Sequence, residues 1–334
     1  MKRITVLGLI GLLMLTGCSY DATTEEGNAD DSLIRFDCYV PTATTRDGYV
    51  GPIADTQRLK YPEVGFGVYS HYNSSETADF MNNQQVLWSG SNWYYTPARY
   101  WPNNDNDKLM FFAYAPYVSQ AGTYGIQSVS SSLTAPAITY KNGQYPADCQ
   151  DLLVSPLLSN RTKSEGTVDF TFKHALAAVN INCKASTSSS MTIKITKLII
   201  NSTSNESGFP VAGTCTVGTN PSWSNFAYGK YTYNETDLNN FNNQGVTATA
   251  RNIFTGLPTN SKENEEWLLM IPYNGKLSFT MTYTVSEGTN SYEVTTSKDM
   301  LDKVEMGKKY TINLTIGLTA IQVDPDITVT GWTN

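Results

Sequence analysis

The sequence predicts an all-β protein, and three observations lead there. Tyr is abundant, with 21 copies, and Ser, Thr and Asn dominate the polar positions, a composition of strands and turns rather than helices. Apolar residues recur at every second position in one segment after another, which is the period of a strand with one buried face. The 334 residues suffice for two domains, each able to bury a core without staples, and no internal repeat of solenoid or propeller type appears.

The amino terminus reads as an export signal. Basic Lys2-Arg3 is followed by an apolar run from Ile4 to Leu15 and then by Leu15-Thr16-Gly17-Cys18. Such a run is too short to span a bilayer, and the small residues before Cys18 fit a lipobox. Residues 1–17 are therefore expected to be a lipoprotein signal peptide, with the Cys18 thiol acylated and Cys18 the first mature residue. More than one acyl chain anchors stably where a single chain does not. Residues 18–31 carry Asp21, Glu25, Glu26, Asp30 and Asp31 with almost nothing apolar, the composition of a disordered acidic tether. Loss of Lys2 and Arg3 takes the formal charge from −7 to −9, a balance that disfavours a nucleic-acid partner.

The first domain is expected over residues 32–160. Ile34, Phe36, Cys38 and Val40 alternate with Arg35, Asp37 and Tyr39, so the first folded element is a strand with an inward face, ended by Pro41. Thr42 to Asp55 is rich in Thr, Gly and Pro and carries Arg46. Val64, Phe66 and Val68 form the next alternating row. The densest aromatic cluster follows, with Trp88, Trp93, Tyr94, Tyr95, Tyr100 and Trp101. Trp93, Tyr95, Tyr100 and Trp101 are candidate ligand-stacking residues, because aromatic faces suit pyranose rings; the alternative is core and strand-edge packing. Asn103 to Asp107 lacks the glycine and distal glutamate of a calcium loop and reads as a hairpin turn. Leu109 to Tyr117 is a buried strand closed by Pro116, and the polar segment Ser159 to Gly166 is expected to be the linker.

The second domain is expected over residues 166–334. Thr167 to Cys183 opens it: apolar residues fall at Val168, Phe170, Phe172, His174 and Leu176, then the row shifts phase at Ala177-Ala178 and resumes at Val179, Ile181 and Cys183. A bulge or sharp bend accommodates such a shift. Met191, Ile193 and Ile195 form a strand that continues at Leu198 to Ile200 after another phase change. Asn201 to Asn243 is long and polar, a length that marks a functional or disordered loop and makes this region a candidate for ligand contact. Trp267 to Pro272, Leu277 to Val285 and Tyr310 to Leu318 are sandwich strands. The last strand holds Ile327, Val329 and Trp332, and it either closes its own domain or serves as a donor strand for another subunit.

Several short motifs resemble those of the Bacteroidales fimbrillin-like proteins, the lipoprotein-derived pilins and pilus-tip adhesins. Phe172-Lys173-His174-Ala175-Leu176-Ala177 resembles their F-x-H-x-L-A signature, and Gly65 to Tyr69 their F-G-V-Y element. Trp93 to Pro102 is similar to W-x-Y-x-P-x-x-Y-W-P, Asp151 to Leu153 to D-L-L, and Leu268 to Pro272 to L-L-x-I-P. The acidic tether is similar to the surface-export signals of such lipoproteins. The resemblance implies two transthyretin-like β-sandwich domains in tandem. It also implies an outer-membrane surface lipoprotein matured by arginine-specific cleavage, with Arg46 the best candidate and Arg35 and Arg58 weaker ones. Cleavage releases the first strand, with Ile34, Phe36, Cys38 and Val40, and the vacated groove accepts a strand from the next subunit. The implied partners are other fimbrial subunits, the biological output is adhesion, and the receptor is open.

Catalytic chemistry finds little support in the chain. His71 and His174 show no metal-ligand or triad spacing, there is no G-x-S-x-G, phosphate loop or dinucleotide fingerprint, and Glu265-Glu266 point to opposite faces of a strand. No cofactor or metal is expected. The alternative functional reading is a surface glycan-binding lipoprotein of a carbohydrate-uptake system. Removing Cys18 leaves Cys38, Cys149, Cys183 and Cys215, whose pairing is open; a disulfide through Cys38 would tether the first strand and oppose its exchange.

Overall fold

The computed structural model of the chain describes residues 32–41, 53, 55–186, 192–257, 266–317, 321–323 and 327–331. Cys18 and the rest of residues 1–31, Arg46 and Trp332 lie outside the described residues. Within them the elements are strands apart from two single-turn α-helices, Thr56–Leu59 and Asn239–Asn243, and two 3₁₀ turns, so the all-β expectation holds.

One sheet forms a wall between two cores. Its centre is Phe66–Tyr72, antiparallel to Met81–Trp88 on one side and to Leu109–Ala115 on the other. Leu153–Val154 and Leu158–Arg161 extend it from Leu109–Ala115, and Lys173–His174 adds beyond Leu153–Val154. Every residue of Leu109–Ala115 is buried, which explains a continuous apolar run in place of alternation: both faces are covered. Successive side chains point to opposite faces. Phe111, Ala113 and Ala115 accordingly join the core beneath the first strand, while Phe112 and Tyr114 join a larger core on the other side. The same division sends Phe66, Val68 and Leu153 one way and Tyr69, Leu152 and Val154 the other.

The larger core fills a sandwich. Ala177–Ala185 lies parallel to Lys308–Ile316, with Val179 opposite Tyr310 and Ile181 opposite Ile312. Across the core lies a four-stranded sheet in the order Tyr231–Asn234, Thr192–Asn201, Leu277–Glu287, Asn290–Leu301. The phase change read from the sequence after Ile195 is real, a register shift between Ile195 and Lys197 against Leu277–Glu287.

Three segments differ from the sequence expectation. Thr167 to Cys183 is three strands in three sheets: Val168–Thr171 pairs with Phe36–Tyr39, Lys173–His174 with Leu153–Val154, and only Ala177–Ala185 enters the sandwich. The chain crosses from one core to the other at Lys173–His174, between Phe172 and Ala175, and the phase shift at Ala177-Ala178 follows at the start of the sandwich strand. Asn201 to Asn243 is not a long loop, since Phe209–Thr216 and Ser222–Gly229 form a hairpin that pairs with Ala137–Lys141. Gly125–Ser130 completes that sheet, which thereby joins segments from either side of residues 159–166. That polar stretch itself begins inside the strand Leu158–Arg161, where Arg161 stands opposite Leu109.

Both tail segments run antiparallel along Lys308–Ile316. Ile321–Val323 covers one end, with Leu314 opposite Val323, and Thr328–Gly331 covers the other, with Thr311 opposite Thr328. An unbroken ladder from the first pair would bring residue 326 to Thr311, so the register slips by two residues between them.

Candidate functional site: the groove beneath the first strand

The first strand is an inserted element. Phe36–Tyr39 runs parallel to Val168–Thr171, with Phe36 opposite Val168 and Cys38 opposite Phe170, and these two strands form a sheet of their own. Ile34 and Val40 are 0% exposed, Phe36 5% and Cys38 7%, as the alternation required, while Arg35, Asp37 and Tyr39 face outward. The Phe36 ring lies 5.6 Å from that of Phe170, 6.1 Å from Phe111, 6.4 Å from Phe66 and 5.2 Å from Tyr95. These distances are those of aromatic packing in a core.

Backbone pairing holds the strand along both edges. On one side the Val168 N–H donates to Arg35 O (2.8 Å) and the Phe172 N–H to Tyr39 O (2.9 Å). On the other, the Ile34 N–H donates to Arg99 O (3.0 Å), and the Trp101 N–H to Ser32 O (2.7 Å). The Tyr95 hydroxyl donates to Ile34 O at 2.7 Å, and the Val40 N–H donates to Thr56 Oγ1 at 2.8 Å. Without the strand, the Val168–Thr171 edge would lose its ladder and the aromatic wall behind it would face water.

The aromatic segment proves to be part of this wall. Trp93 and Trp101 are buried; Trp93 packs against Phe66 and Trp88, and Trp101 against Phe111. A stacking platform of Trp93, Tyr95, Tyr100 and Trp101 is therefore not presented to solvent: two of its rings are core, Tyr95 clamps the first strand, and of the four only Tyr100 is exposed. The reason is the hydrophobic effect acting on indole rings beside an otherwise open groove. Arg58, a weaker cleavage candidate, is held in a helical turn over the Tyr61 ring and pairs with Glu63 at 3.5 Å. Arg35 lends its carbonyl to the ladder. The Arg58 backbone is helical, and that of Arg35, though extended, is engaged by the Val168 N–H.

At the other end of the chain the burial is reversed. Ile327 is half-buried against the larger core and Val329 is 50% exposed, so Thr328–Gly331 is held largely by its ladder to Lys308–Thr311.

Cys38, Cys149, Cys183 and Cys215 are all free and buried. Nothing covalent ties the first strand to the body through Cys38. Burial pushes the thiols of Cys149, Cys183 and Cys215 up to about 12 from 9.0, and that of Cys38 also well up. Above pH 9 the unfolded chain therefore loses these protons while the folded chain keeps them, and stability falls by about 1.4 kcal/mol per pH unit per thiol up to the folded value. The melting temperature is expected to decline from pH 9 to 10.5, with a shallower slope in Cys215→Ala; a profile identical in the two proteins would contradict this assignment.

Other candidate sites resolve as structure. Asp107 accepts hydrogen bonds from the Tyr72 hydroxyl (2.6 Å) and Asn73 Nδ2 (2.8 Å), which hold its carboxyl below the usual value and stitch a turn as expected. Among the described residues no group of three or more His, Cys, Asp or Glu side chains is placed to hold a metal. One constellation escaped the sequence. His174 Nδ1 lies 3.1 Å from Asp151 Oδ2 with both side chains 0% exposed, a pair 23 residues apart that only the fold brings together.

Comparison with known proteins agrees with this architecture. Residues 63–332 match the family described as fimbrillin-like. The fimbrium subunit Fim1C of Phocaeicola vulgatus is 27% identical over 99% of this chain and 96% of its own. A fimbrial protein from Bacteroides vulgatus superposes with a TM-score of 0.64 at 23% identity, over 90% of this chain and 100% of its own. A Bacteroides uniformis protein assigned to cell adhesion gives 0.54 at 16% identity, over 90% and 99%. These two likenesses concern the fold. A single family match that begins after the first strand and takes in the groove's wall, the larger core and the tail ladder settles the lineage: the chain belongs to the fimbrillin-like family.

Proposed function

We propose that this protein is a structural fimbrial subunit or tip adhesin, displayed at the cell surface and serving adhesion. In this reading it is exported as a lipoprotein acylated at Cys18, cut by an arginine-specific protease at Arg46, and assembled with other fimbrial subunits by donor-strand exchange. Residues 64–115, 153–161 and 168–174 wall the strand-accepting groove. The rest carries the donor segment, with Ile327, Val329 and Trp332. The outer-membrane lipid anchor precedes maturation.

The observation that carries the reading is the contrast between the two terminal strands. Ile34 to Val40 fills an aromatic groove with side chains almost wholly buried, whereas Val329 in the tail is half exposed. An alternating strand that buries little at home gains apolar contact in a vacated groove while exchanging one backbone ladder for another. The free Cys38 removes the covalent obstacle to release.

Brief digestion of the purified protein with an arginine-specific protease tests this, followed by mass spectrometry, unboiled denaturing gels and maleimide labelling. A cut at Arg46, a stable ladder of oligomers and labelling of Cys38 ahead of Cys149, Cys183 and Cys215 are expected. A cut without a ladder identifies a terminal or tip subunit. An uncut monomer with all four thiols protected sinks maturation through Arg46.

A further inference from the structure

The strand Ser222–Gly229 carries an aromatic row that the groove does not use. Cys215 stands opposite Trp223 and Ala212 opposite Ala227, with a register shift between them, and Asn225 takes a left-handed conformation (φ 52°). That bulge adds one residue to the strand. Its effect is to bring Trp223, Phe226 and Tyr228 onto one face, where strict alternation would set Trp223 opposite to the other two. Gly213 makes the room: a Cβ there would lie 3.1 Å from Phe226 Cδ1 and 3.3 Å from Trp223 Cε3.

The row continues onto a second element. Tyr228 meets Phe226 at 6.0 Å and Tyr273 at 6.2 Å, edge to face. Trp223 is fixed from behind, its indole N–H donating to Ala175 O at 2.8 Å and its ring against Tyr140. Trp223, Phe226 and Tyr273 line a cleft of about 430 Å³, within the ~300–1,000 Å³ of small-molecule sites, with Tyr228 packed behind Phe226 and Tyr273. Asn274, Lys303 and Glu305 line it, and Lys303 Nζ pairs with Glu305 Oε1 at 2.8 Å while both remain half exposed.

We propose that this cleft is a binding site for a neutral pyranose-containing oligosaccharide. Ring faces take up the C–H face of a sugar, while a carboxylate, an ammonium and an amide at the rim supply acceptors and donors for its hydroxyls. The paired opposite charges of Lys303 and Glu305 leave the rim without the excess positive charge that an acidic sugar requires. A peptide is the weaker fit, because the rings lie on the face of the sheet and the polar groups are side chains rather than a free backbone edge. The site is remote in sequence from the first strand and needs no strand exchange, so it is tested on the uncleaved monomer.

The purified protein is titrated by calorimetry with cellotetraose, xylotetraose, methyl mannoside and lactose, with sialyllactose, a heparin tetrasaccharide and a proline-rich peptide as comparators. At least one neutral probe is expected to bind, and Phe226→Ala and Tyr273→Ala each to weaken it by about tenfold or more in protein that stays folded by circular dichroism. Tyr100→Ala, on the exposed aromatic elsewhere, leaves binding as it is. Glu305→Gln, which keeps the shape of the rim, weakens the same probe. Absence of binding by every neutral probe at about 10 mM, where a Kd of ~1 mM reads clearly, overturns the proposal. So does binding that Phe226→Ala and Tyr273→Ala leave intact, or preference for an acidic sugar or the peptide.

Discussion

Replacing His174 with alanine is expected to lower the unfolding free energy by about 3–5 kcal/mol, because it removes the imidazole partner of the fully buried Asp151 side chain and leaves a cavity in its place. Asp151 and His174 lie where the two cores meet: Leu153 and Phe172 point into the core beneath the first strand, while Leu152, Val154, Ala175 and Leu176 point into the larger one. The Ala175 N–H donates to Leu152 O at 2.8 Å and the Leu152 N–H to Asp151 Oδ1 at 2.8 Å. The pair therefore sits inside a local ladder that water does not reach. Asp151→Asn retains a hydrogen-bonding side chain of the same shape and is expected to cost less, about 1 kcal/mol. Replacing both partners with leucine is expected to recover part of the single-variant loss, since an apolar pair needs no compensation. Denaturant unfolding of the unsubstituted protein, His174→Leu, Asp151→Leu and the double leucine variant measures the coupling as a double-mutant cycle, with His174→Ala and Asp151→Asn measured beside it. A loss under about 1 kcal/mol for His174→Ala, or strict additivity in the double variant, would show that the two groups are not coupled.

This pair marks how far the residues alone could be read. Alternation identifies a strand and its buried face, and on that basis Ile34, Phe36, Cys38 and Val40 were legible as one inward row. It does not name the neighbour. Val168 to His174 reads as continuous with Val179 to Cys183, yet the first part pairs with Phe36–Tyr39 and Leu153–Val154 and the second with Lys308–Ile316. The phase shift at Ala177-Ala178 was visible; that the chain has already passed between two cores at Lys173–His174 was not. In Phe209 to Gly229 the signal itself was broken. Register shifts around Ala212 and the left-handed Asn225 interrupt the period, and Ser, Thr and Asn on the outer face lower the hydropathy, so two strands resemble a loop. The Trp93 to Trp101 cluster illustrates the complementary limit. Composition cannot distinguish a ring offered to a sugar from one covering a groove, and the deciding fact is the position of the first strand over it.

Removing that strand should have a larger effect than any point substitution. A chain lacking everything through Pro41 gives up the burial of Ile34, Phe36 and Val40, worth about 1.5–3 kcal/mol per side chain, an upper estimate because the unfolded chain already hides part of this area. The sum is comparable with the ~5–15 kcal/mol that holds an ordinary domain folded, so the truncated protein is expected to melt far below the intact one or to associate through the open edge. A synthetic peptide of Ile34 to Val40 is expected to restore the melting temperature, by about 2.7 kcal/mol at a hundredfold excess over its Kd. The tail peptide Ile327 to Asn334 is expected to restore less. It places Ile327 and Val329 on one face but Gly331 at the third position, with Trp332 out of phase, so it fills the Ile34 and Phe36 pockets or their neighbours incompletely. A peptide in which Gly331 is replaced by isoleucine should close most of that gap. If the truncated protein melts like the intact one and ignores all three peptides, the cleft under the first strand is not an open acceptor, and polymerisation must use another edge. If only the first peptide rescues, the groove accepts a strand whose donor is a different subunit.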